Sequence, residues 1–147
     1  MIALVDRALA LNPNFARGWY VSAVFRNWAG QPELAIEHAQ NSLRLSPRFR
    51  VGTSLRVIAV AHFVSRRFGD AISTLLRAIQ DDPNRADTYR WLAACYAHTG
   101  RPKEARETIE RLKTMTSVVV PATVPLRNAE HRELFLSGLR LAMGESE

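Results

Sequence analysis

The sequence predicts an all-α fold in which pairs of helices stack side by side as a solenoid. Two observations lead to this prediction: prolines recur at a nearly constant spacing, and a short turn motif lies between successive prolines. Self-similarity over a fixed period of roughly 20 to 50 residues is characteristic of stacked supersecondary units. We therefore expect each period to hold one helix pair.

The prolines mark the ends of the predicted repeats. The segments LNPNFA, LSPRFR and DDPNRA place Pro13, Pro47 and Pro83 at intervals of 34 and 36 residues, each just after an apolar helical pattern. Proline ends a helix because it has no N–H to continue the hydrogen-bond ladder, and its fixed φ suits the start of the next helix. Each proline is thus predicted to separate one helix pair from the next.

A second motif divides each repeat into two helices. It reads AGQPELA in the first copy and TGRPKEA in the third, with the poorer copy RRFGDA in the same phase. Gly30 and Gly100 can adopt the left-handed conformation that ends a helix, and Pro32 and Pro102 fit the first turn of the helix that follows. Every unit is therefore predicted to be helix, tight turn, helix.

The positions between these turns resemble the tetratricopeptide repeat, which places an aromatic residue, small packing residues, Tyr, Ala, Phe and Pro at set offsets. The positions that match are Trp19, Ala23, Ala35, Ala39 and Pro47 in the first copy; Leu55, Ile58, Ala59, Ala71, Leu75 and Pro83 in the second; and Tyr89, Leu92, Ala93, Tyr96, Ala105 and Ile109 in the third. Ser22 and Arg26 depart from the pattern in the first copy. His62 and two extra residues within Arg48–Val51 depart from it in the second. The resemblance implies a right-handed α-α superhelix of about three helix pairs with flanking helices.

The repeat boundaries divide the chain into six parts. These are 1–11, the second helix of an incomplete upstream repeat; 14–47, 48–83 and 84–117, the three repeats; 118–127, an extended linker; and 128–143, a C-terminal capping helix. A helix without its partner cannot bury its inner face. We therefore expect residues 1–11 to expose an apolar edge of Ile2, Val5 and Leu9, and the chain to come from a longer protein.

The period breaks after the third copy. Ser117 stands where a fourth proline would fall, and Pro121 and Pro125 lie among β-branched residues, so this part is expected to be extended. The final helix is expected to begin at an Asn128 cap and to cover the open end of the solenoid. Its apolar positions are Leu134, Phe135, Leu139 and Ala142, interrupted by Gly138.

The ending FLSGLRLAMGE also resembles the tails that follow tetratricopeptide arrays in bacterial multidomain proteins similar to class III adenylate or guanylate cyclases. This resemblance implies a cyclase domain, with its metal-binding acidic residues, upstream of the chain. The chain would then be the C-terminal part of a larger bacterial regulatory protein and would carry no enzymatic activity of its own.

Composition and motif content disfavour several classes of function. The net charge is +6, but 18 of the 20 basic residues are arginines spread along the whole chain, without the interleaved aromatics of a nucleic-acid site. Cys95 is the only cysteine, which excludes a disulfide framework. No apolar run approaches the roughly 20 residues of a membrane span, and the N-terminus lacks a signal-peptide pattern. We expect a cytoplasmic protein that does not bind a membrane, and nucleic-acid binding through the basic surface is a less favoured alternative.

Catalytic and cofactor motifs are also missing from the sequence. We find no nucleophile paired with a base, no metal-ligand spacing and no phosphate loop, and the four histidines share no i, i+4 spacing. The expectation is a chain without cofactor, metal or catalytic residues.

The resemblance implies instead a binding face on the concave side, formed by the first helix of each pair. The residues expected to point into it are Arg17, Tyr20, Val24, Asn27 and Trp28 from the first repeat; Thr53, Arg56, Val60, Phe63 and Val64 from the second; and Asp87, Arg90, Ala94, Ala97 and His98 from the third. Aromatic and arginine side chains together suit an extended or helical peptide of acidic character. The family's carboxylate-clamp positions hold Tyr20, Val24 and Val57, so chaperone-tail recognition is not supported.

Three alternatives stay open on the sequence alone. Trp28 and Phe63 either face a partner or are covered within the chain. In the second case they pack against the next repeat or lie under the segment Val118–Leu126. The array could instead associate with a second copy as a homodimer, or dock onto an upstream domain of its own chain. The exposed edge expected at residues 1–11 motivates both of these last interpretations.

Overall fold

The structure, a computed structural model, describes residues 1–145, and this part of the chain folds into eight α-helices. They are α1 (Ile2–Leu11), α2 (Ala16–Trp28), α3 (Pro32–Leu45), α4 (Val51–Val64), α5 (Phe68–Asp81), α6 (Ala86–His98), α7 (Pro102–Lys113) and α8 (Ala129–Ala142). Helices α2 to α7 pack as three successive pairs, and each second helix also packs against the first helix of the next pair. The predicted all-α solenoid of helix pairs is confirmed.

Small residues allow the helices to approach one another within each repeat. Ala23, Ala59 and Ala93 on the first helices are fully buried. Ala35, Ala71 and Ala105, their counterparts on the second helices, are fully buried as well. A larger side chain at any of these points would push two helices apart, because interiors are close-packed.

The aromatic packing residue of two repeats is tied to the proline turn before it. The indole Nε1 of Trp19 donates a hydrogen bond to the Pro13 carbonyl at 2.9 Å. In the third repeat the Tyr89 hydroxyl donates in the same way to the Pro83 carbonyl at 2.7 Å. These bonds fix the start of each of these first helices against the preceding turn. The opposite side of the helix faces the concave side of the solenoid.

The three mid-repeat turns share one backbone geometry, although only two contain glycine at the key position. Gly30 and Gly100 have φ values of 80° and 69°, and Arg66 adopts a φ of 59° at the equivalent point of the second repeat. In each turn the next N–H bonds back to the carbonyl five residues earlier, as Arg67 N does to His62 O at 2.9 Å. This pattern is the Schellman motif, which normally uses glycine.

Replacing Arg66 with glycine is expected to raise the free energy of unfolding by up to about 1 kcal/mol. Left-handed backbone costs a residue with a Cβ roughly 1 to 2 kcal/mol, and the greater freedom of glycine in the unfolded chain offsets part of the gain. The midpoint of urea denaturation measures the change. Arg77→Gly, at an exposed interior position of α5, is the matched control and should lower the midpoint. A lower midpoint for Arg66→Gly would contradict the prediction.

The first helix corrects one expectation drawn from the sequence. Leu9 is buried against α2, and Ile2 and Val5 are half-buried, because residues at i, i+3 and i+7 share the helix face that packs on α2. The exposed apolar side chains lie on the other face, where Leu4 and Leu11 are 71% and 82% exposed. The edge expected at Ile2, Val5 and Leu9 is therefore not free.

The last helix lies elsewhere than the sequence analysis placed it. Asn128 does cap it, since its Oδ1 accepts from the N–H groups of Glu130 and His131 at 2.9 and 3.2 Å. However, α8 packs chiefly along α6, with much smaller contacts to α7, including the region near Met143, and to α4. The expectation that α8 covers the open end of the solenoid is corrected: it lies along the first helix of the third repeat.

Candidate functional site

The side of the solenoid formed by α2, α4 and α6, here called the inner surface, is covered in large part by the chain's own C-terminal residues. We call residues 118–142 the C-terminal strap. The Arg90 guanidinium on α6 donates to the carbonyls of Val119 and Val118 at 3.0 and 2.7 Å. Further along, the Arg127 N–H donates to the Trp28 carbonyl at the end of α2 at 2.8 Å. These bonds hold the strap across the inner surface before it turns into α8.

An aromatic cluster holds α8 against the inner surface. The Phe135 ring stacks on Trp91, with ring centroids 3.9 Å apart and an interplanar angle of 24°. Phe63 meets the Trp91 ring edge-on at 5.1 Å and is fully buried. His98 Nε2 donates to the Leu134 carbonyl at 2.6 Å. Ring contacts of this kind are among the larger packing terms in a small protein.

Gly138 lets α8 lie this close to α6. A Cβ atom at residue 138 would come within 2.8 Å of the Ala94 Cβ and within 2.8 Å of His98 Nε2. Real Cβ atoms do not approach neighbours at this distance, so any larger residue must push the two helices apart. The glycine that interrupts the apolar pattern of α8 is therefore its contact point with the inner surface.

Between the strap and the inner surface remains a pocket of about 280 Å³. Helix residues form one side, among them Tyr20, Val24 and Val60, and strap residues such as Val124 and Leu126 form the other. Trp91 and Phe135 also line it. The pocket thus exists only while the strap lies in place.

The charged end of this pocket is Arg56. Its side chain is only 13% exposed, and Asp87 Oδ2 lies 3.8 Å from its Nε, beyond hydrogen-bonding distance. Burial, together with the neighbouring Arg85, lowers the pKa of the Arg56 guanidinium, and Asp87 opposes that change. Arginine stays protonated at neutral pH in spite of such shifts. Arg56 is therefore a largely buried cation whose nearest carboxylate, that of Asp87, neutralises its charge only weakly.

Asn27, another residue of the pocket lining, carries a buried polar atom that is unsatisfied. Its Nδ2 donates to the Val57 carbonyl at 2.8 Å, which links α2 to α4. Its Oδ1 is buried without a hydrogen-bond partner among residues 1–145. A buried acceptor in this state costs roughly 1 to 3 kcal/mol until a donor reaches it.

Comparison with known proteins decides the kind of solenoid. A family model described as Tetratricopeptide repeat matches residues 65–114. The crystal structure of MamA superposes with a TM-score of 0.72 at 20% identity, over 97% of this chain and 85% of that one. TTC0263, a thermophilic TPR protein in Thermus thermophilus, gives a TM-score of 0.69 at 22% identity, over 97% and 73%.

The fold is a tetratricopeptide-repeat solenoid. A second crystal structure, of MamA protein, agrees with a TM-score of 0.70 at 22% identity, over 97% of this chain and 74% of that one. At these identities the likeness concerns the fold alone. No curated protein matches the sequence.

The tetratricopeptide-repeat geometry distributes the predicted binding residues over three environments. The residues that line the pocket are Tyr20, Asn27, Trp28 and Arg56. Phe63 and His98 lie beneath α8, and Arg90 is bonded to the start of the strap. Arg17 is exposed on α2 and lies outside the pocket lining. Among the residues that the strap covers, only those that line the pocket are open to a small molecule while the strap is docked.

Trp91 is the main inner-surface residue that the sequence analysis missed. It lies four residues after Asp87 and three before Ala94, both of which were assigned to the concave face. The helical period therefore pointed to it. The family offsets instead selected Arg90 and Ala94 on either side.

The polar groups elsewhere serve packing. Burial raises the pKa of the Cys95 thiol to about 12, so it is protonated at neutral pH and a poor nucleophile. Ser22 Oγ lies 2.7 Å from His38 Nδ1, and Arg67 Nε donates to His62 Nδ1 at 3.0 Å. Throughout residues 1–145, no three His, Cys, Asp or Glu side chains gather where they could share a metal ion.

The helices of the described residues fall short of what a membrane crossing requires in length and apolarity.

Proposed function

We propose that the chain is a protein-interaction scaffold whose inner surface binds a helical segment, and that the C-terminal strap occupies this surface as an intramolecular ligand. The observation that carries the proposal is the seating of α8, with Phe135 stacked on Trp91 and Gly138 against Ala94. Tetratricopeptide-type solenoids present such a curved surface to other proteins.

The docked strap indicates what kind of partner fits. It is an extended stretch followed by an amphipathic helix, and it combines main-chain carbonyl contacts to Arg90 with an aromatic anchor at Phe135. Helix-in-groove recognition uses the same elements, with apolar anchors at helical spacing. A partner segment that resembles the strap can therefore replace it.

The charge of the surface supports a partner with acidic residues. Arg17 is exposed on α2, and Arg56 lies at the pocket with weak compensation. Release of the strap would also free the Arg90 guanidinium from two carbonyls. An acidic partner would gain charge-assisted hydrogen bonds at these positions.

Because the strap belongs to the same chain, a partner needs high affinity to displace it. Linking two binding groups by a short chain gives an effective concentration on the order of millimolar. A free segment with the same contacts therefore competes poorly until the strap is weakened. We infer that the strap regulates access to the inner surface, which is the intramolecular form of the scaffold hypothesis.

The wider setting of the scaffold is inferred from the tail alone. Phe135, Gly138, Leu139 and Ala142 of FLSGLRLAMGE are buried in the fold, so packing accounts for these residues of the tail. Its resemblance to cyclase-associated arrays nevertheless supports a cytoplasmic, bacterial regulatory protein with a catalytic domain upstream. Self-association through the exposed face of Leu4 and Leu11 is the alternative, and a strict monomer in light scattering at micromolar concentration would contradict it.

Weakening the strap is expected to open the surface to the same sequence added in trans. A fluorescently labelled peptide of residues 118–145 should bind the Gly138→Leu variant at least about tenfold more tightly than the unchanged protein, because leucine cannot fit against Ala94. Fluorescence anisotropy measures both affinities.

Gly69→Leu is the matched control, since a Cβ at Gly69 meets no atom within 4 Å. This variant should bind the peptide as weakly as the unchanged protein. Equal affinity for the Gly138→Leu variant and the unchanged protein would refute the intramolecular occupant. Circular dichroism of the variant distinguishes release of α8 from loss of the solenoid.

A further inference from the structure

The pocket under the strap has the size of a small-molecule site. Its volume of about 280 Å³ lies just below the roughly 300 to 1,000 Å³ typical of ligand pockets. A helix with side chains is roughly 10 to 12 Å across and cannot enter it while the strap is docked. The pocket in this state therefore admits a small molecule but not a helix.

Its walls are predominantly apolar. Val24, Val57 and Val60 face it from α2 and α4, and Val124 and Leu126 face it from the strap. Water gains few hydrogen bonds against such walls, because an ordered water needs two to four polar partners. The walls favour an occupant with a short apolar body.

One end of the pocket carries excess positive charge. Asp87 is shared between two arginines, with Oδ2 at 3.8 Å from Arg56 Nε and Oδ1 at 3.6 Å from Arg90 Nη1. Arg90 is satisfied by two strap carbonyls, whereas Arg56 has no closer acidic partner among the described residues. One positive charge at a largely buried position is thus left without a full counter-charge, which favours an anion there.

Two further polar groups lie within the same pocket. Asn27 lines the pocket, with its Oδ1 buried and unpartnered among the described residues, and Tyr20 contributes a hydroxyl that can donate or accept. An anionic ligand on Arg56 can also accept a hydrogen bond from the Tyr20 hydroxyl.

We propose that this pocket binds a small carboxylic acid with a short apolar body, its carboxylate on Arg56 and its body between the helix and strap valines. Because strap residues form one wall, the ligand binds only the closed arrangement and stabilises it. Binding of the acid would thereby keep the strap docked and limit access to the inner surface. This role goes beyond the proposed binding of a protein segment.

The test compares 3-phenylpropionate with its neutral amide, 3-phenylpropanamide, on the full chain. The acid is expected to change tryptophan emission, since Trp28 and Trp91 line the pocket, and to raise Tm. The amide should bind at least about tenfold more weakly, because it lacks the charge that pairs with Arg56. Arg56→Gln should remove this preference for the acid, and Arg77→Gln, exposed on α5 and outside the pocket, should keep it.

A second variant protects the test against a folding defect. Val124→Trp fills the pocket from the strap side without altering a charge and should abolish binding of both compounds, with circular dichroism reporting that the helices are intact. Absence of binding by the acid, equal binding of acid and amide, or a preference that persists in Arg56→Gln would overturn the proposal. Since no peptide is present, these outcomes are independent of the assay with residues 118–145.

Discussion

Replacing Phe63 with alanine is expected to lower the free energy of unfolding by about 3 to 5 kcal/mol. Phe63 is fully buried and lies among Phe68, Trp91 and Phe135, with ring centroids 5.1 to 6.3 Å away. The truncation removes apolar burial and leaves a cavity between the second repeat, the third repeat and the strap. The midpoint of guanidinium denaturation, with the slope held fixed, measures the loss.

Phe49→Ala is the control for this prediction. Phe49 is 68% exposed and lies at the entry to α4, so its removal should change the midpoint little. A loss below about 1 kcal/mol for Phe63→Ala would contradict the packing of α8 against this ring.

Replacing Phe135 with alanine is expected to release α8 from the inner surface, with a loss of about 3 to 5 kcal/mol in the free energy of docking. Phe135 is buried and stacks on Trp91, yet it belongs to the strap alone, so the six repeat helices keep their own contacts. The expected signs are lower helix content and a red-shifted tryptophan emission as Trp91 becomes solvated.

The expected loss at Phe135 differs in kind from that at Phe63. Local opening of a terminal element can occur well below the global free energy of unfolding, so the repeats should still melt cooperatively after Phe135→Ala. Phe135→Leu should retain part of the docking, because it keeps most of the apolar volume. Unchanged tryptophan emission in Phe135→Ala would show that α8 does not depend on this contact.

The repeat architecture was readable from the sequence because its determinants are local. Pro13, Pro47 and Pro83 end helices through covalent geometry, and Gly30 and Gly100 close them through left-handed backbone. The middle turn lacks glycine at this point, and it was identified only because it lies at the same position within its repeat as the other two turns. Its key position holds Arg66, and nothing in the local sequence shows that this residue adopts a φ of 59°.

The location of α8 could not be read in this way. Its apolar face predicted that it packs, but an amphipathic pattern does not say against which neighbour. Gly138 appeared as an interruption of the pattern, whereas the structure makes it the point of closest approach to Ala94. Close contacts between residues distant in sequence are set by tertiary packing, which periodicity alone cannot report.

The predicted binding residues share one side of the solenoid but differ in exposure. Tyr20, Trp28 and Arg56 face the pocket, as the helical period of the first helices implies. Phe63 faces the same side and is buried, because α8 covers it. The covered and the open parts of one helical face look alike in sequence.

The most direct test of the self-occupied inner surface is a nuclear Overhauser measurement between the Trp91 indole protons and the Phe135 ring protons in the unchanged chain. With ring centroids 3.9 Å apart, strong cross-peaks between the two rings are expected, together with cross-peaks from the Gly138 α-protons to the Ala94 methyl group. Absence of both sets, with α8 protons contacting only α7, would place the helix at the end of the solenoid and contradict the account.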